Sequence, residues 1–282
     1  MKKDLFGAHL SIAGGLETVF KRAAVVGAHA VQIFTKSNKS YFAKPLVAGE
    51  ITAFTEAWNQ SGVAVVVTHA AYLINLAASD AAVEKKSIAS LRAEVERCVQ
   101  LCIPYLVLHP GAHTGGGIEV GVEKIAQNLS AVLSEVPGDT MILLETAAGQ
   151  GTAVGSTFEE LRAIYDACDT EIKHRVGICF DTCHVFAVGY DLSSIEAYRS
   201  VMEKFDAIVG RKLLKVVHLN DSQTVCGSRK DRHANLGKGH IPQSVLHAIA
   251  HEMSERGIAV VLETPSVDGI SEYAEEITFL RS

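Results

Sequence analysis

The sequence predicts an α/β protein of the (β/α)8 TIM-barrel class, and the alternation of its apolar runs is the main reason. Eight short apolar runs alternate with longer segments of helical period, at about 35 residues for each pair. The runs are rich in Val, Ile and Leu on both faces, as strands of a covered parallel sheet are. The 282 residues are within the usual range of one such barrel. We expect residues 1–282 to form a single TIM-barrel domain, because no linker or low-complexity tract divides them.

The predicted elements follow the chain in order. The strands are Leu5–His9, Ala30–Phe34, Val63–His69, Tyr105–His109, Met141–Glu145, Val176–Asp181, Leu214–His218 and Ala259–Glu263. The helices lie between them, where apolar residues recur at helical spacing: Leu16–Val26, Glu50–Gln60, Ala82–Leu101, Glu119–Glu135, Phe158–Ala167, Ile195–Val209, Gln243–Glu255 and Glu272–Leu280. An open doubly wound sheet is the alternative fold, but no glycine-rich phosphate-binding pattern follows the first strand.

Composition argues against several classes of protein. With 48% hydrophobic and 21% charged residues, the chain can bury a large core and is not disordered. No run of 18 apolar residues occurs, and the first residues lack the apolar stretch of a signal peptide, so we expect a cytoplasmic protein with no membrane association. The six cysteines do not resemble a disulfide framework. The net charge of −6 argues against a protein that coats nucleic acid, but it leaves room for a local basic face or an acidic metal site.

Metal-ligand residue types stand at the ends of seven of the eight predicted strands: His9, His69, His109, Glu145, Asp181, His218 and Glu263. In a barrel these ends converge on the carboxyl-terminal face, where active sites form. Convergent imidazoles and carboxylates would repel or desolvate one another unless something neutralises them. Bound divalent cations are the simplest explanation.

Two further clusters enlarge this set. His184 follows Asp181 by three residues, and Asp231 and His233 lie two apart in a predicted loop. The nine candidate metal ligands are His69, His109, Glu145, Asp181, His184, His218, Asp231, His233 and Glu263. A mixed nitrogen and oxygen set suits zinc, or alternatively manganese or iron as partial substitutes. Nine ligands exceed what one catalytic zinc uses, and with one bridging carboxylate they are sufficient for three metals.

The segments around these residues closely resemble the endonuclease IV family of zinc-dependent AP endonucleases (AP endonuclease family 2). They are residues 69–77 (HAAYLINLA), 108–113 (LHPGAH), 144–151 (LETAAGQG), 177–191 (GICFDTCHVFAVGYD), 218–222 (HLNDS), 227–233 (GSRKDRH) and 262–265 (LETP). The resemblance runs from Gly7 to Glu263, nearly the whole chain.

This resemblance implies a trinuclear zinc site. The first zinc would be held by His69, His109 and Glu145, and Glu145 would bridge to a second held also by Asp181, His218 and Glu263. The third would be held by His184, Asp231 and His233. The implied activity is hydrolysis of the phosphodiester bond 5′ to abasic sites in duplex DNA, leaving a 3′-hydroxyl and a 5′-deoxyribose phosphate, together with trimming of blocked 3′ ends. Glu145 and Glu263 would be the catalytic carboxylates, with no nucleotide cofactor and a monomeric enzyme.

The loops after the strands supply the candidate DNA contacts: Lys39, Tyr41, Tyr72, Arg229 and Arg232, with Lys36 and Lys230 as further phosphate contacts. The family often uses Arg or Gln in the loop where this chain has Asn38 and Lys39. His9 and His113 lie outside the nine-ligand set, and we expect them to orient ligands or contact phosphate.

Two other functions compete with this interpretation. A sugar isomerase of the xylose-isomerase type shares the barrel, but its metal sites are dominated by carboxylates and usually have a nearby Lys, whereas histidines supply five of the nine candidates here. A non-catalytic DNA-binding or metal-storage protein is the second alternative, and counting ligands does not exclude it. Cys183 could be a ligand or nucleophile, although a small buried thiol is the default expectation.

Overall fold

Eight parallel strands close into a barrel in the computed structural model, which describes residues 3–282. They are β1 (Phe6–His9), β2 (Ala30–Ile33), β3 (Val65–His69), β4 (Tyr105–Leu108), β5 (Met141–Glu145), β6 (Val176–Asp181), β7 (Leu214–His218) and β8 (Ala259–Leu262). Each strand pairs with its neighbours in chain order, and β1 closes the barrel by pairing with both β2 and β8. The TIM-barrel prediction is therefore confirmed. The predicted span 1–282 includes Met1 and Lys2, which lie outside the described residues.

Helices surround the barrel. Within residues 3–282 they are α1 (Val19–Val26), α2 (Ala48–Gln60), α3 (Ala81–Gln100), α4 (Ile118–Glu135), α5 (Phe158–Ala167), α6 (Thr182–Val188), α7 (Ile195–Ile208), α8 (Gln243–Glu255) and α9 (Ser271–Leu280). Most predicted bounds agree to within two residues, and the differences lie at fraying ends, as at α2, which begins at Ala48 rather than Glu50. No helix of the described chain is long and apolar enough to span a bilayer.

Two apolar layers explain why the strands are buried on both faces. Alternate strand residues fill the barrel interior, including Val67, Val107, Leu143, Val216 and Val261. The intervening residues pack outward against the helices in a larger core. The strands are therefore mostly apolar along their length, and polar side chains gather at or just after their carboxyl-terminal ends, at one rim of the barrel.

The register of the strands aligns their polar ends. Asp181 on β6 pairs with His218 on β7, and a β-bulge at Ile178 and Cys179 shifts the register just before that point. Bulges beside active sites commonly redirect a side chain. The bulge and the pairing together place two of the candidate ligands side by side.

Helix α6 was not predicted from the sequence. It begins directly after β6, where the Asp181 side chain caps it by accepting a hydrogen bond from the His184 backbone N–H at 2.8 Å, and it ends at Gly189 in a left-handed conformation. A short antiparallel ribbon, Asp221–Ser222 with His233–Ala234, returns the long loop after β7 toward the barrel. The helix brings His184 to the rim and the ribbon brings His233.

Candidate active site

The predicted ligands meet around the carboxylate of Glu145, which is fully buried at the end of β5. Four imidazoles surround it: His69 Nε2 at 3.2 Å, His109 Nε2 at 3.4 Å, His184 Nδ1 at 3.3 Å and His218 Nδ1 at 3.0 Å. A carboxylate can accept about four hydrogen bonds, but only the His69 and His218 nitrogens approach Glu145 in hydrogen-bonding geometry. The crowding indicates that this carboxylate serves more than one neighbouring group.

Two sets of donor atoms share Glu145. His69, His109 and Glu145 form one group whose ligand atoms all lie within 4.8 Å of one another, and a second group contains Glu145, Asp181, His218 and Glu263. His218 Nδ1 lies 3.2 Å from Glu263 Oε2 and 3.8 Å from Asp181 Oδ2. The structure thus brings together the first two predicted ligand sets, with Glu145 common to both.

The third predicted set also assembles, at the more exposed side of the rim. His184 Nε2 lies 3.2 Å from Asp231 Oδ2, and His233 Nε2 lies 3.3 Å from Asp231 Oδ1. His233 Nε2 also lies 3.7 Å from Asp181 Oδ2. The Asp231 side chain is 43% exposed whereas that of His184 is 3% exposed, so this set opens toward solvent.

The tautomers of three histidines are fixed by backbone carbonyls. The Nδ1 atoms of His69, His184 and His233 contact the carbonyl oxygens of Ala70 (2.7 Å), Thr146 (2.8 Å) and Glu263 (3.1 Å), respectively. A carbonyl can only accept, so each Nδ1 carries the hydrogen and each neutral ring directs an Nε2 lone pair away from it. These Nε2 atoms face the carboxylates of Glu145 and Asp231.

His218 shows the same pattern with its nitrogens exchanged. Its Nε2 donates to Gln32 Oε1 at 2.8 Å, which leaves the Nδ1 lone pair directed at the carboxylates of Glu145 and Glu263. A lone pair that faces an anionic oxygen is repulsive unless the ring is protonated or a cation lies between them. Consistently, the Nε2 atoms of His184 and His233 are buried and have no partner in hydrogen-bonding geometry, although each lies close to Asp231.

The donor spacing fits zinc. Two ligand atoms bound to one zinc at about 2.0–2.1 Å and at tetrahedral angles lie roughly 3.3 Å apart. The nitrogen-to-oxygen distances of 3.2, 3.4, 3.2 and 3.3 Å given above for His69, His109, His184 and His233 match that value. Imidazole nitrogens mixed with carboxylate oxygens are also the donor types that zinc prefers.

The pKa values of the histidines and carboxylates also indicate a site for cations. Burial alone would lower the pKa values of His184 and His218, but the acidic groups around them outweigh burial and raise both pKa values well above the ordinary value. Burial alone would raise the pKa of Glu145 and Glu263, yet the surrounding imidazoles lower both. Ionised carboxylates alternate with proton-binding rings, a pattern in which divalent cations can replace the protons.

Cys183 also lies near the third set, within a group that contains Asp231 and His233. Burial raises the pKa of its thiol to about 12, so the sulfur stays protonated at neutral pH. A protonated thiol is a poor ligand and a poor nucleophile. The burial and the raised pKa of Cys183 therefore agree with the expectation of a small buried thiol.

Sequence reasoning missed Gln32, a fully buried amide inside the otherwise apolar strand β2. Its Nε2 donates to Glu263 Oε1 at 2.6 Å and lies 3.0 Å from His9 Nδ1, while its Oε1 accepts from His218. A polar residue on a strand that is buried on both faces was the available signal. Asn220 was missed too: its Nδ2 donates to Asp181 Oδ2 at 2.7 Å and its Oδ1 accepts from the Glu263 backbone N–H at 2.9 Å.

The two histidines expected to support the ligands have different surroundings. His9 Nδ1 lies 3.2 Å from Glu263 Oε1, so His9 does contact a candidate ligand. His113 Nδ1 accepts backbone N–H groups of Gly115 and Gly117, at 3.2 and 3.0 Å. The described contacts of His113 stabilise its own loop, and they give no support to a role in orienting a ligand.

The predicted DNA contacts lie in loops that follow the carboxyl-terminal ends of the strands. Tyr72 is 59% exposed, and its ring centroid lies 5.4 Å from that of His69. Tyr41 donates its hydroxyl to the Leu73 carbonyl at 2.8 Å, which joins two loops of the rim. Lys39 and Arg229 lie in the loops after β2 and β7, and Arg232 directly precedes His233.

Lys36 departs from the expectation that it contacts phosphate. Its side chain is only 4% exposed, and its ammonium lies 2.9 Å from Glu94 Oε1 and 2.6 Å from the Ser40 carbonyl oxygen. A lysine enclosed and paired in this way cannot reach a duplex. The expectation was wrong because the partner, Glu94, lies on α3, far along the chain.

Comparisons with known proteins agree with this geometry. The profile of the AP endonuclease 2 family, described as a xylose isomerase-like TIM barrel, matches residues 20–282. The "Probable endonuclease 4" of Chloroflexus aurantiacus is 44% identical over 278 residues, covering 98% of this chain and 97% of the relative. That of Halorhodospira halophila is 42% identical over 277 residues, covering 98% and 92%.

The chain belongs to the endonuclease IV family. Among solved structures, endonuclease IV from Thermus thermophilus superposes with a TM-score of 0.85 at 35% identity, covering 98% of this chain and 97% of that one. The resemblance predicted from the motifs is thereby confirmed, and the chain is a deoxyribonuclease of the AP endonuclease type.

Support for the sugar-isomerase alternative is limited to a likeness of fold. A D-tagatose 3-epimerase-like protein superposes on this chain with a TM-score of 0.72 but is 20% identical, which shows the shared barrel alone.

Proposed function

We propose that this member of the endonuclease IV family hydrolyses the phosphodiester bond 5′ to apurinic and apyrimidinic sites in duplex DNA and trims blocked 3′ ends. The products of incision would be a 3′-hydroxyl and a 5′-deoxyribose phosphate. The observation that carries the proposal is the set of histidine lone pairs that face shared carboxylates at the rim of the barrel. We further propose one domain over residues 1–282, acting as a monomer in the cytoplasm.

The nine residues would hold three zinc ions. One ion would take His69, His109 and Glu145, and Glu145 would bridge to a second with Asp181, His218 and Glu263, while the third would take His184, Asp231 and His233. When bound, zinc supplies a nucleophile at neutral pH by acidifying water, and it offsets charge on the phosphate and the leaving oxygen. Manganese or iron are partial substitutes with the same donor preference.

Glu145 and Glu263 have distinct proposed roles. Glu145 is fully enclosed, so its task is to hold the site together. The Glu263 side chain is 13% exposed and that of Glu145 is 0% exposed, so Glu263 is the more accessible of the two to an attacking water. We assign Glu263 the acceptance of a proton from the attacking water. Gln32 and His9 hold its Oε1 at hydrogen-bond distance and so keep the carboxylate oriented.

An abasic nucleotide offers no base edge to read, so recognition must use its missing stack and flexible backbone. Tyr72 stands at the rim directly beside His69, and Leu73 beside it is 39% exposed. These side chains would occupy the gap in the duplex while the sugar enters the site. Lys39, Arg229 and Arg232 would contact phosphates.

The deciding experiment is an incision assay on a labelled duplex with one abasic site. We expect a single cut on its 5′ side, a product that DNA polymerase extends, and complete loss of cutting with a chelator. An undamaged duplex of the same sequence is the control. Binding of the abasic duplex without any cutting would favour the non-catalytic alternative and contradict the proposal.

A further inference from the structure

An ion pair that takes no part in the metal cluster is enclosed beneath the DNA-facing rim. Lys36 follows β2 and Glu94 lies on α3, and their side chains are 4% and 2% exposed. Their charged atoms are 2.9 Å apart. Removing two charges from water is costly, and apolar side chains of similar size often stabilise a fold equally well. Stability alone therefore does not account for the pair.

Each member of the pair also holds one loop of the rim. Lys36 Nζ donates to the Ser40 carbonyl at 2.6 Å, within the loop that carries Lys39 and Tyr41. Glu94 Oε1 accepts the Ala71 backbone N–H at 3.2 Å, directly before Tyr72. The ion pair is thus a connection between the loop after β2 and the loop after β3.

Neighbouring contacts strengthen the same connection. Arg97, one turn beyond Glu94 on α3, donates to the carbonyl oxygens of Thr35 and Lys44, the latter at 3.0 Å. These two carbonyls lie at either end of the loop after β2. On the outer side, the Tyr41 hydroxyl joins the Leu73 carbonyl. The two loops are therefore fixed to α3 from within and to each other at the surface.

We propose that Lys36 and Glu94 are positioning residues that set the spacing of the two duplex-facing loops, and so specify the fit of Tyr72 and the Lys39–Tyr41 segment to abasic DNA. This inference rests on the proposed function, because it assigns those loops to the same substrate. The pair contacts none of the nine candidate ligands through a hydrogen bond or ion pair in the described chain. Its loss should therefore change substrate fit rather than metal content.

The test replaces both charges with apolar groups of similar length, Lys36→Met with Glu94→Leu. The variant should retain its melting temperature and bound metal. Its KM for abasic duplex should rise by on the order of tenfold, because small displacements of positioning groups are costly, while kcat stays within about twofold of the parent. The matched control is Arg92→Met with Glu135→Leu, an ion pair that also begins on α3 but contacts neither loop; its KM should not change.

A double-mutant cycle separates positioning from a merely structural role. If the pair acts through the loop of Tyr72, then Tyr72→Ala should raise KM less in the double variant than in the parent. Fluorescence of 2-aminopurine opposite the abasic site should likewise report less unstacking with the double variant. If the double variant folds poorly, Lys36→Met alone is tested in its place. Burial already raises the pKa of Glu94, so its carboxyl can take up a proton and need not remain as an unpaired buried charge.

The outcomes are distinguishable. If the parent does not cut abasic duplex, the proposed function fails. If the parent cuts and the folded variants show its KM, or if the effect of Tyr72→Ala is simply additive, then the positioning inference fails while the proposed function stands.

Discussion

Among single residues, Glu145 has the most demanding environment. Its buried carboxylate lies within 3.4 Å of four imidazoles that come from four separate segments of the chain. The sequence predicted this residue and five other candidates because parallel strands of a barrel end on one rim. It predicted His184, Asp231 and His233 from their short spacing in two further clusters. Gln32 was not predictable in the same way, since only the closed barrel places its amide between His218 and Glu263.

Replacing Glu145 by Gln should disturb two metal positions at once, because an amide is a weaker ligand and cannot balance their charge. We expect bound metal to fall and abasic-site incision to drop by more than about 100-fold, since loss of an ordinary ligand or its partner costs about 10–100-fold. Elemental analysis and single-turnover cutting measure both effects. Glu84→Gln is the control, because Glu84 pairs with Lys124 outside the cluster. A Glu145→Gln enzyme that cuts at the parent rate would contradict the bridging role.

Tyr72 should contribute through its ring rather than its hydroxyl. Tyr72→Ala is expected to weaken binding of abasic duplex by roughly 1–3 kcal/mol, the range for one aromatic–base stacking contact. Tyr72→Phe keeps the ring and should bind like the parent. Titration of a labelled abasic duplex at fixed salt measures both, and metal content should be unchanged. Equal losses in the two variants would show that the hydroxyl, not the stacking surface, provides the contact.

Among elements, the strands and helices of the barrel were predictable because periodicity and strand ends agreed along the whole chain. Helix α6 was missed because Thr182–Ala187 is buried on every side, so no polar face marks a helical period. Its end signals were nevertheless present, in the Asp181 cap and the left-handed Gly189. The prediction that Lys36, in the loop after β2, contacts phosphate was wrong because its environment depends on Glu94, which is distant in the sequence.

The end of α9 provides an electrostatic test at this scale. The Arg281 guanidinium donates to both Asp4 oxygens, at 2.9 and 3.0 Å, and so joins α9 to the segment before β1. Burial acts to raise the pKa of Asp4, but the hydrogen bonds and charge of Arg281, together with His29, lower it to about 2. Since the folded pKa is below the ordinary 3.8, the stabilisation is fully present above that value and is lost as pH falls through about 2.

We therefore expect Arg281→Gln to return the pKa of Asp4 toward its ordinary value, as measured by the pH dependence of its carboxyl carbon chemical shift. At neutral pH the free energy of unfolding should fall by at most about 1 kcal/mol, because the pair is partly exposed. Arg162→Gln, at an exposed pair within one helix, is the control and should leave Asp4 unchanged. An Asp4 pKa that does not move would show that His29 and burial set it.

At the scale of the whole molecule, the distribution of charge reconciles an acidic protein with a DNA substrate. The chain carries a net charge of −6, and part of its acidity is concentrated in Glu145, Asp181, Asp231 and Glu263 at one end of the barrel. Three divalent cations there would add six positive charges and offset the formal net charge. The rim would then attract phosphate through the metals and the few exposed bases around them.

This charge balance leads to a prediction about metal content and its pH dependence. We expect about three metals per chain, bound more weakly as pH falls from about 8 to about 6, because histidine must lose its proton to bind a metal. The raised pKa values of His184 and His218 make protons effective competitors for these rings, and metal uptake should release protons into weak buffer. Elemental analysis gives the stoichiometry, and competition with a chromophoric chelator gives the affinity at each pH.

His233→Ala should leave about two metals, since it removes a ligand of the third group only. A single bound metal with full incision activity, or an affinity independent of pH, would contradict the trinuclear assignment.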